Sequence, residues 1–163
     1  QVTLEAARAA EGSRVLDSAG GLGQDSRALV ARGALAFCAE PSQRMEALGR
    51  LLEAQGGAAP IRVRAWSESL PFADGSFTVV WTAHSFHHWE DRDAGLAEML
   101  RVLSDGGRGL ILETDGKKHG LTESASATVV ADMERLGFRD VAVEKVDKQV
   151  IISGARGSPN LGP

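Results

Sequence analysis

The chain has a single cysteine, Cys38, so no internal disulfide can form and no disulfide framework holds the fold. Cys38 sits in an apolar run and reads as a small core residue. Positive charge is not in surplus. The formal net charge is −4, which leaves no basic field for a nucleic-acid backbone, and no nucleic-acid partner is expected. No apolar run approaches the ~20 residues of a membrane span, and no secretory leader is visible. These absences together lead us to expect a cytoplasmic protein. No internal repeat, linker or second domain is visible in the sequence. What is present is ordinary: 163 residues, 43% hydrophobic and 25% charged, enough for one domain with a real core.

One stretch, Arg14 to Ser26, stands out. It reads as a short buried strand (Val15, Leu16), a carboxylate at its end (Asp17), a bend of small residues (Ala19, Gly20, Gly21, Gly23) and a helix start. Such a bend lets backbone approach a nucleotide closely, and the helix offers free N–H groups. The carboxylate would repel a pyrophosphate placed there. A ligand with a cationic amino-acid part would be attracted, so S-adenosylmethionine fits this charge better than NAD. A second apolar run, Leu35 to Ala39, ends in Glu40, 23 positions after Asp17. That is close to the ~20-residue offset at which an acid takes ribose hydroxyls in nucleotide-binding βαβ units. The plainer account makes Asp17 a turn cap and Glu40 a solvated strand end; the two acids together favour the nucleotide.

The rest of the chain alternates strands and helices. Thr3 to Ala10 is a short helix, and Gln24 to Arg32 another, with Leu29 and Val30 inward and Gly33 as its stop. Pro41 or Ser42 opens a helix in which Met45, Leu48, Leu51 and Leu52 recur at helical spacing. Further strands cover Ile61 to Ala65, Phe77 to Thr82 and Gly109 to Glu113. Between the last two lies a helix capped by Asp91 or Asp93, with Leu96, Met99, Leu100 and Leu103 on one face. After a polar loop, 115–121, comes a helix from Thr122 to Leu136. A hairpin of two short strands near Val141–Val143 and Val150–Ile152 follows, and adds an antiparallel edge strand. The expected fold is α/β: a Rossmann-like three-layer αβα sandwich around a seven-stranded, mostly parallel sheet whose last strand is antiparallel. Residues 1–153 form the domain and 154–163, rich in Gly and Pro, a loose tail.

Three segments taken together carry a family resemblance: Glu68-Ser69-Leu70-Pro71-Phe72-Ala73-Asp74-Gly75-Ser76-Phe77, then His84-Ser85-Phe86-His87-His88-Trp89, then Leu103 to Ile111. Across Arg14 to Glu113 the chain resembles the class I S-adenosylmethionine-dependent methyltransferases. It is most similar to the small-molecule branch that includes the ubiquinone and menaquinone C-methyltransferases. The resemblance implies a cofactor site, S-adenosyl-L-methionine, distributed over four places. Asp17, Ala19, Gly20, Gly21 and Gly23 would take its methionine part. Glu40 would hold the ribose, with Pro41 and Met45 nearby. Trp66, Ser67 and Glu68 lie where the family reads adenine. Ala83 and His84 follow the fourth strand, beside the expected position of the transferable methyl. Three positions depart from the family pattern. Ala19 replaces a usual glycine, Trp66 a usual aspartate, and Thr78 a common aspartate. They motivate an alternative of another class, a cofactor-binding or scaffold protein of the same fold that has little or no turnover.

Methyl transfer from a sulfonium is an in-line displacement, and a base is needed only when the acceptor is a weak nucleophile. Histidine suits that task, and the resemblance points to His87 or His88; the plainer account has both capping strand and helix ends. His119, beside Lys117 and Lys118, reads as a solvated loop residue. His84, His87 and His88 lack the partner cysteines or carboxylates of a metal site, so no metal is expected. The acceptor is expected to be a small molecule that takes the methyl group on O, N or C. The short N-terminal part and the short loop after the fifth strand leave the acceptor site open. A bulky acceptor, a second copy in a homodimer, or a segment upstream of Gln1 would each suit that openness.

Overall fold

Short apolar runs punctuated by helices fold here into one sheet with helices on both faces. In a computed structural model, residues 11–116 and 120–158 are described; the expected helix at Thr3 to Ala10, His119 and residues 159–163 lie outside them. The described residues form β1 (Arg14–Ser18), α1 (Gln24–Val30), β2 (Leu35–Ala39), α2 (Gln43–Glu53), β3 (Ile61–Val63) and β4 (Phe77–Ala83). A 3-10 turn (Phe86–His88) leads into α3 (Arg92–Val102), β5 (Leu103–Asp115), β6 (Gly120–Leu121), α4 (Glu123–Leu136), β7 (Phe138–Val146) and β8 (Gln149–Arg156). The strand order is β3-β2-β1-β4-β5-β8-β7, with β6 paired to β5. The Rossmann-like, mostly parallel architecture is as expected.

Four local differences have physical reasons. The antiparallel strand is β8, but it lies inside the sheet between β5 and β7, so β7 is the edge. Val150, Ile151 and Ile152 are buried on both faces, which suits an interior strand, whereas β7 is mostly exposed. β8 also runs on through Gly154, Ala155 and Arg156, residues placed in the expected tail. Gly154 is tightly packed there: a Cβ would sit 3.0 Å from Met133 Cε and 3.1 Å from Phe138 Cβ. Arg156 Nη1 donates to the Leu100, Arg101 and Leu103 carbonyls and so closes the C-terminal end of α3. An eighth, two-residue strand, β6, occupies part of the expected 115–121 loop, where Leu121 is drawn into the core. Finally, β3 ends at Val63 instead of continuing to Ala65, because the chain turns through a bridge between Trp66 and Ser69.

Two apolar layers cover the sheet. On one face Leu16, Val80, Ile111 and Ile152 pack under α3 and α4 through Leu96, Met99, Val129 and Met133. On the other Val15, Ala36, Val79, Trp81 and Leu110 meet Leu29 of α1. Side-chain caps set the helix starts: Ser42, Asp91 and Thr122 accept from the amides of Met45, Ala94 and Ala125. The helix expected to bury its leucines does not. On α2, Leu48, Leu51 and Leu52 are 43%, 61% and 39% exposed, and the residue turned inward is Gly49. A Cβ on Gly49 would overlap the guanidinium of Arg62 on β3. The face that meets the sheet is therefore taken by an arginine, and the leucines are rotated off it. Between β3 and β4 the chain has no helix; Glu98 and Arg101 of α3 tie it down by bonds to the Leu70 amide and to the Leu70 and Phe72 carbonyls.

This packing separates two leucines that look alike in sequence. Leu96→Ala should cost about 3 kcal/mol in a urea melt, as buried leucine truncations do. Leu51→Gln on α2 should change stability by less than about 0.5 kcal/mol.

Candidate functional site

The C-terminal ends of β1, β2 and β4 converge where α1 begins, the usual ligand position in open parallel sheets. β1 delivers Asp17 there, 3% exposed. The chain then bends through left-handed residues: Ala19 (φ 58°), Gly21 (φ 55°) and Gly23 (φ 72°). Left-handed backbone costs an L-residue about 1–2 kcal/mol, so Ala19 is a strained position, of the kind that gathers at functional sites. Gly20 has no room for a side chain, since a Cβ would lie 2.6 Å from Asp17 Cγ and 2.8 Å from Cys38 Sγ. The Gly20 amide donates to the Ala39 carbonyl and the Gly23 amide to the Gly20 carbonyl, which pins the bend against β2.

Asp17 accepts from Ser26 Oγ at 2.6 Å. Burial pushes its carboxyl up from the ordinary 3.8 to about 6. Ser26 and the Trp81 indole oppose that rise, though the Trp81 N–H makes no bond of hydrogen-bonding geometry; Asp25 adds to it and Arg62 lowers it. Cys38, behind the bend, is pushed up to about 12 by burial and then by the Asp17 charge, which keeps it a neutral thiol. Glu40, at the end of β2, accepts from the Gly21 and Ser42 amides, each at 2.8 Å. One carboxylate thus spans the bend and the start of α2, and each oxygen keeps a lone pair for a further donor.

Two adjoining cavities share Ala19 and Gly21. The first, about 270 Å³, is lined by Asp17, Gly20, Asp25 and Ala83. The second, about 350 Å³, is lined by Glu40, Pro41, Met45, Trp66, Ser67, Glu68, Ser85, His88 and Trp89. Most of the residues picked out from the sequence meet in this crevice. Trp66 stands at its rim, 58% exposed, on the turn closed by the Ser69 amide to the Trp66 carbonyl. Ser67 is held by Ser18 of β1, Oγ to Oγ at 2.8 Å. Three picked residues line neither cavity. Gly23 caps α1 from behind the bend, His84 is exposed after β4 in a left-handed conformation (φ 54°), and His87 turns to Glu113.

That last contact was not read from the sequence. Glu113, near the end of β5 and fully buried, lies 3.1 and 3.2 Å from His87 Nδ1 and accepts from the His87 amide at 3.3 Å. A carboxylate at Nδ1 fixes the proton on that nitrogen and makes Nε2 the basic one. The His87 and His88 rings lie 4.0 Å apart, tilted by 48°. Arg62 was missed too: in the run Ile61 to Ala65 it alternates with apolar residues as Arg64 does, and nothing in the spacing marks it as buried.

Residues 16–111 match the family described as a methyltransferase domain. The ubiquinone/menaquinone biosynthesis C-methyltransferase UbiE of Shewanella piezotolerans is 36% identical over 124 residues, 73% of this chain and 49% of that protein. The chain spans about half the length of the curated relatives it matches. Among solved structures, a SAM-dependent methyltransferase from Aquifex aeolicus superposes with a TM-score of 0.80 at 18% identity, over 95% of this chain and 88% of that one. The cyclase SpnF superposes at 0.85 with 16% identity, over 97% of this chain and 80% of its own. These two likenesses concern the fold.

The buried carboxyl makes stability depend on pH. Unfolded, Asp17 titrates near 3.8; folded, near 6. The folded state therefore binds more protons between those values, and Asp17 costs stability progressively as pH rises from about 4 to 6, then no more. Asp17→Asn should be more stable than the parent by roughly 2–3 kcal/mol at pH 8. That advantage should vanish by pH 4 in parallel urea melts.

Proposed function

Because the chain belongs to the methyltransferase-domain family, we propose that it is an S-adenosylmethionine-dependent methyltransferase acting on a small-molecule acceptor in the cytoplasm. One observation carries the reading: two buried acids, Asp17 and Glu40, flank a glycine-rich bend and line the two adjoining cavities of the crevice. The donor set suits this cofactor. Asp17 is a buried carboxylate bonded to one hydroxyl, so a cationic ammonium would complete it. Glu40 has lone pairs for ribose hydroxyls. Trp66 offers a ring face for the base in place of a hydrogen-bonding carboxylate, and Met45 and Pro41 supply apolar wall. A diphosphate would meet two carboxylates here.

When bound, the sulfonium supplies an already activated methyl group. The protein's part is to align the acceptor, keep water away and remove a proton where the acceptor needs it. His88, which lines the crevice, is assigned as the proton acceptor. His87 is held by Glu113 and packs against the His88 ring, so that pair sets the position of His88. The name of the UbiE relative directs the acceptor search to ring carbons of quinol type, with hydroxyl and amine acceptors alongside. A second copy of the chain would close the exposed side of the crevice.

Calorimetric titration should detect S-adenosylmethionine and its demethylated product, S-adenosylhomocysteine, and no NADH; affinity for NADH alone would overturn the assignment. With a competent carbon or hydroxyl acceptor, His88→Phe should lower kcat by about 10²-fold or more while cofactor affinity stays within about twofold. Unchanged kcat would remove His88 from the reaction. Tight cofactor binding without turnover on any acceptor class would favour the scaffold alternative.

A further inference from the structure

The bend that receives the cofactor is held from behind by a side chain that makes no contact with the crevice. Arg62, on β3, has a side chain only 1% exposed. Its Nη1 donates to the Gly21 carbonyl at 3.1 Å and its Nη2 to the Leu22 carbonyl at 2.5 Å. Its Nε donates to Glu53 Oε1, at the end of α2, at 2.7 Å. The Gly21 and Leu22 carbonyls point away from the crevice, where they need donors; Arg27 Nη1 of α1 reaches the Leu22 carbonyl at 2.7 Å, and Arg62 serves both. The guanidinium is a planar fork that supplies several at once.

We propose that Arg62 is the positioning residue of the cofactor bend, a guanidinium clamp anchored by Glu53 and admitted by Gly23 and Gly49, which fixes the loop in its receiving shape before ligand arrives. This rests on the cofactor reading above and adds a residue to it. Two independent features support it. The guanidinium passes between two glycines from different elements, and a Cβ on either would overlap it. Gly49 sits in the middle of α2, where alanine would be the better helix former; at that position the helix gives up propensity and leucine burial to make room for one side chain. A buried arginine paired to a carboxylate is also a weak source of net stability, which leaves positional order of the bend as its contribution. Preorganisation of this kind lowers the ordering cost of binding.

The test is a double-mutant cycle on S-adenosylhomocysteine affinity. Arg62→Met alone would strand the Glu53 charge, so the neutral pair Glu53→Gln/Arg62→Met is used, with circular dichroism to confirm that it folds. Gly49→Ala, and separately the neutral pair, should each raise Kd by about tenfold or more. Gly49→Ala placed on top of the neutral pair should add nothing, because the clamp it displaces is already gone. The neutral pair should also move the pH midpoint of binding upward, since Asp17 loses the cation that opposes burial and the charge of Asp25 on α1; Cys38 stays neutral in this range. Additive effects, or affinity unchanged in either variant, would overturn the clamp. Absence of binding by the unmodified protein would instead overturn the cofactor reading. Amide exchange on the ligand-free protein reads the clamp in that case: lost protection at the Gly21 and Gly23 amides in the neutral pair supports it, and unchanged protection overturns it.

Discussion

A carboxylate placed at the end of an interior strand must be compensated, and much of the crevice end of this molecule follows from compensating Asp17. Ser26 meets it from α1, the Arg62 charge on β3 adds a smaller attraction, and the glycine at position 20 lets the backbone fold over it without a side chain. The compensation is incomplete: burial still holds the carboxyl near 6. A group left in that condition favours any ligand that brings a positive charge to it, and the same incompleteness lowers the stability of the free protein near neutrality. Stability and ligand capture pull against each other at this one residue.

The sequence was most informative where one residue type served one purpose. Asp17 and Glu40 each follow a short apolar run, and both lie where strand ends converge. Helix starts were legible to within a residue or two because a short polar side chain before an apolar period has few other roles: of Pro41 or Ser42 the cap is Ser42, of Asp91 or Asp93 it is Asp91, and Thr122, the first residue of the expected helix, is its cap. The same rule, an acid closing an apolar run, applies to Gly109–Glu113, and it could have found Glu113. It was passed over because the partner, His87, is 26 positions earlier and meets it only through the β4–β5 pairing.

The illegible parts depended on volume and contact. Nothing in the spacing of Leu48, Leu51 and Leu52 reveals that their face is turned away from the sheet; only the arginine against Gly49 decides that. Glycine misled in the opposite sense at position 154, where it reads as a loose tail and in fact admits Phe138 and Met133 against an interior strand. Periodicity reports what a helix could bury, and a glycine reports what the backbone could do; the neighbour across the gap settles both.

The two faces of the bend thus carry different tasks. Its amide side, bonded through Gly21 to Glu40, is turned to the crevice. Its Gly21 and Leu22 carbonyls accept from Arg62 on β3 and, at Leu22, from Arg27 on α1, behind the crevice. Recognition by the first face depends on order imposed at the second, because the glycines of the bend have little conformational preference of their own. The cyclase neighbour has the same fold with a different named chemistry, so architecture alone does not select the reaction. In this chain the side chains gathered around the bend are the acids Asp17 and Glu40, the ring of Trp66 and His88, whose neighbour His87 is bonded to Glu113.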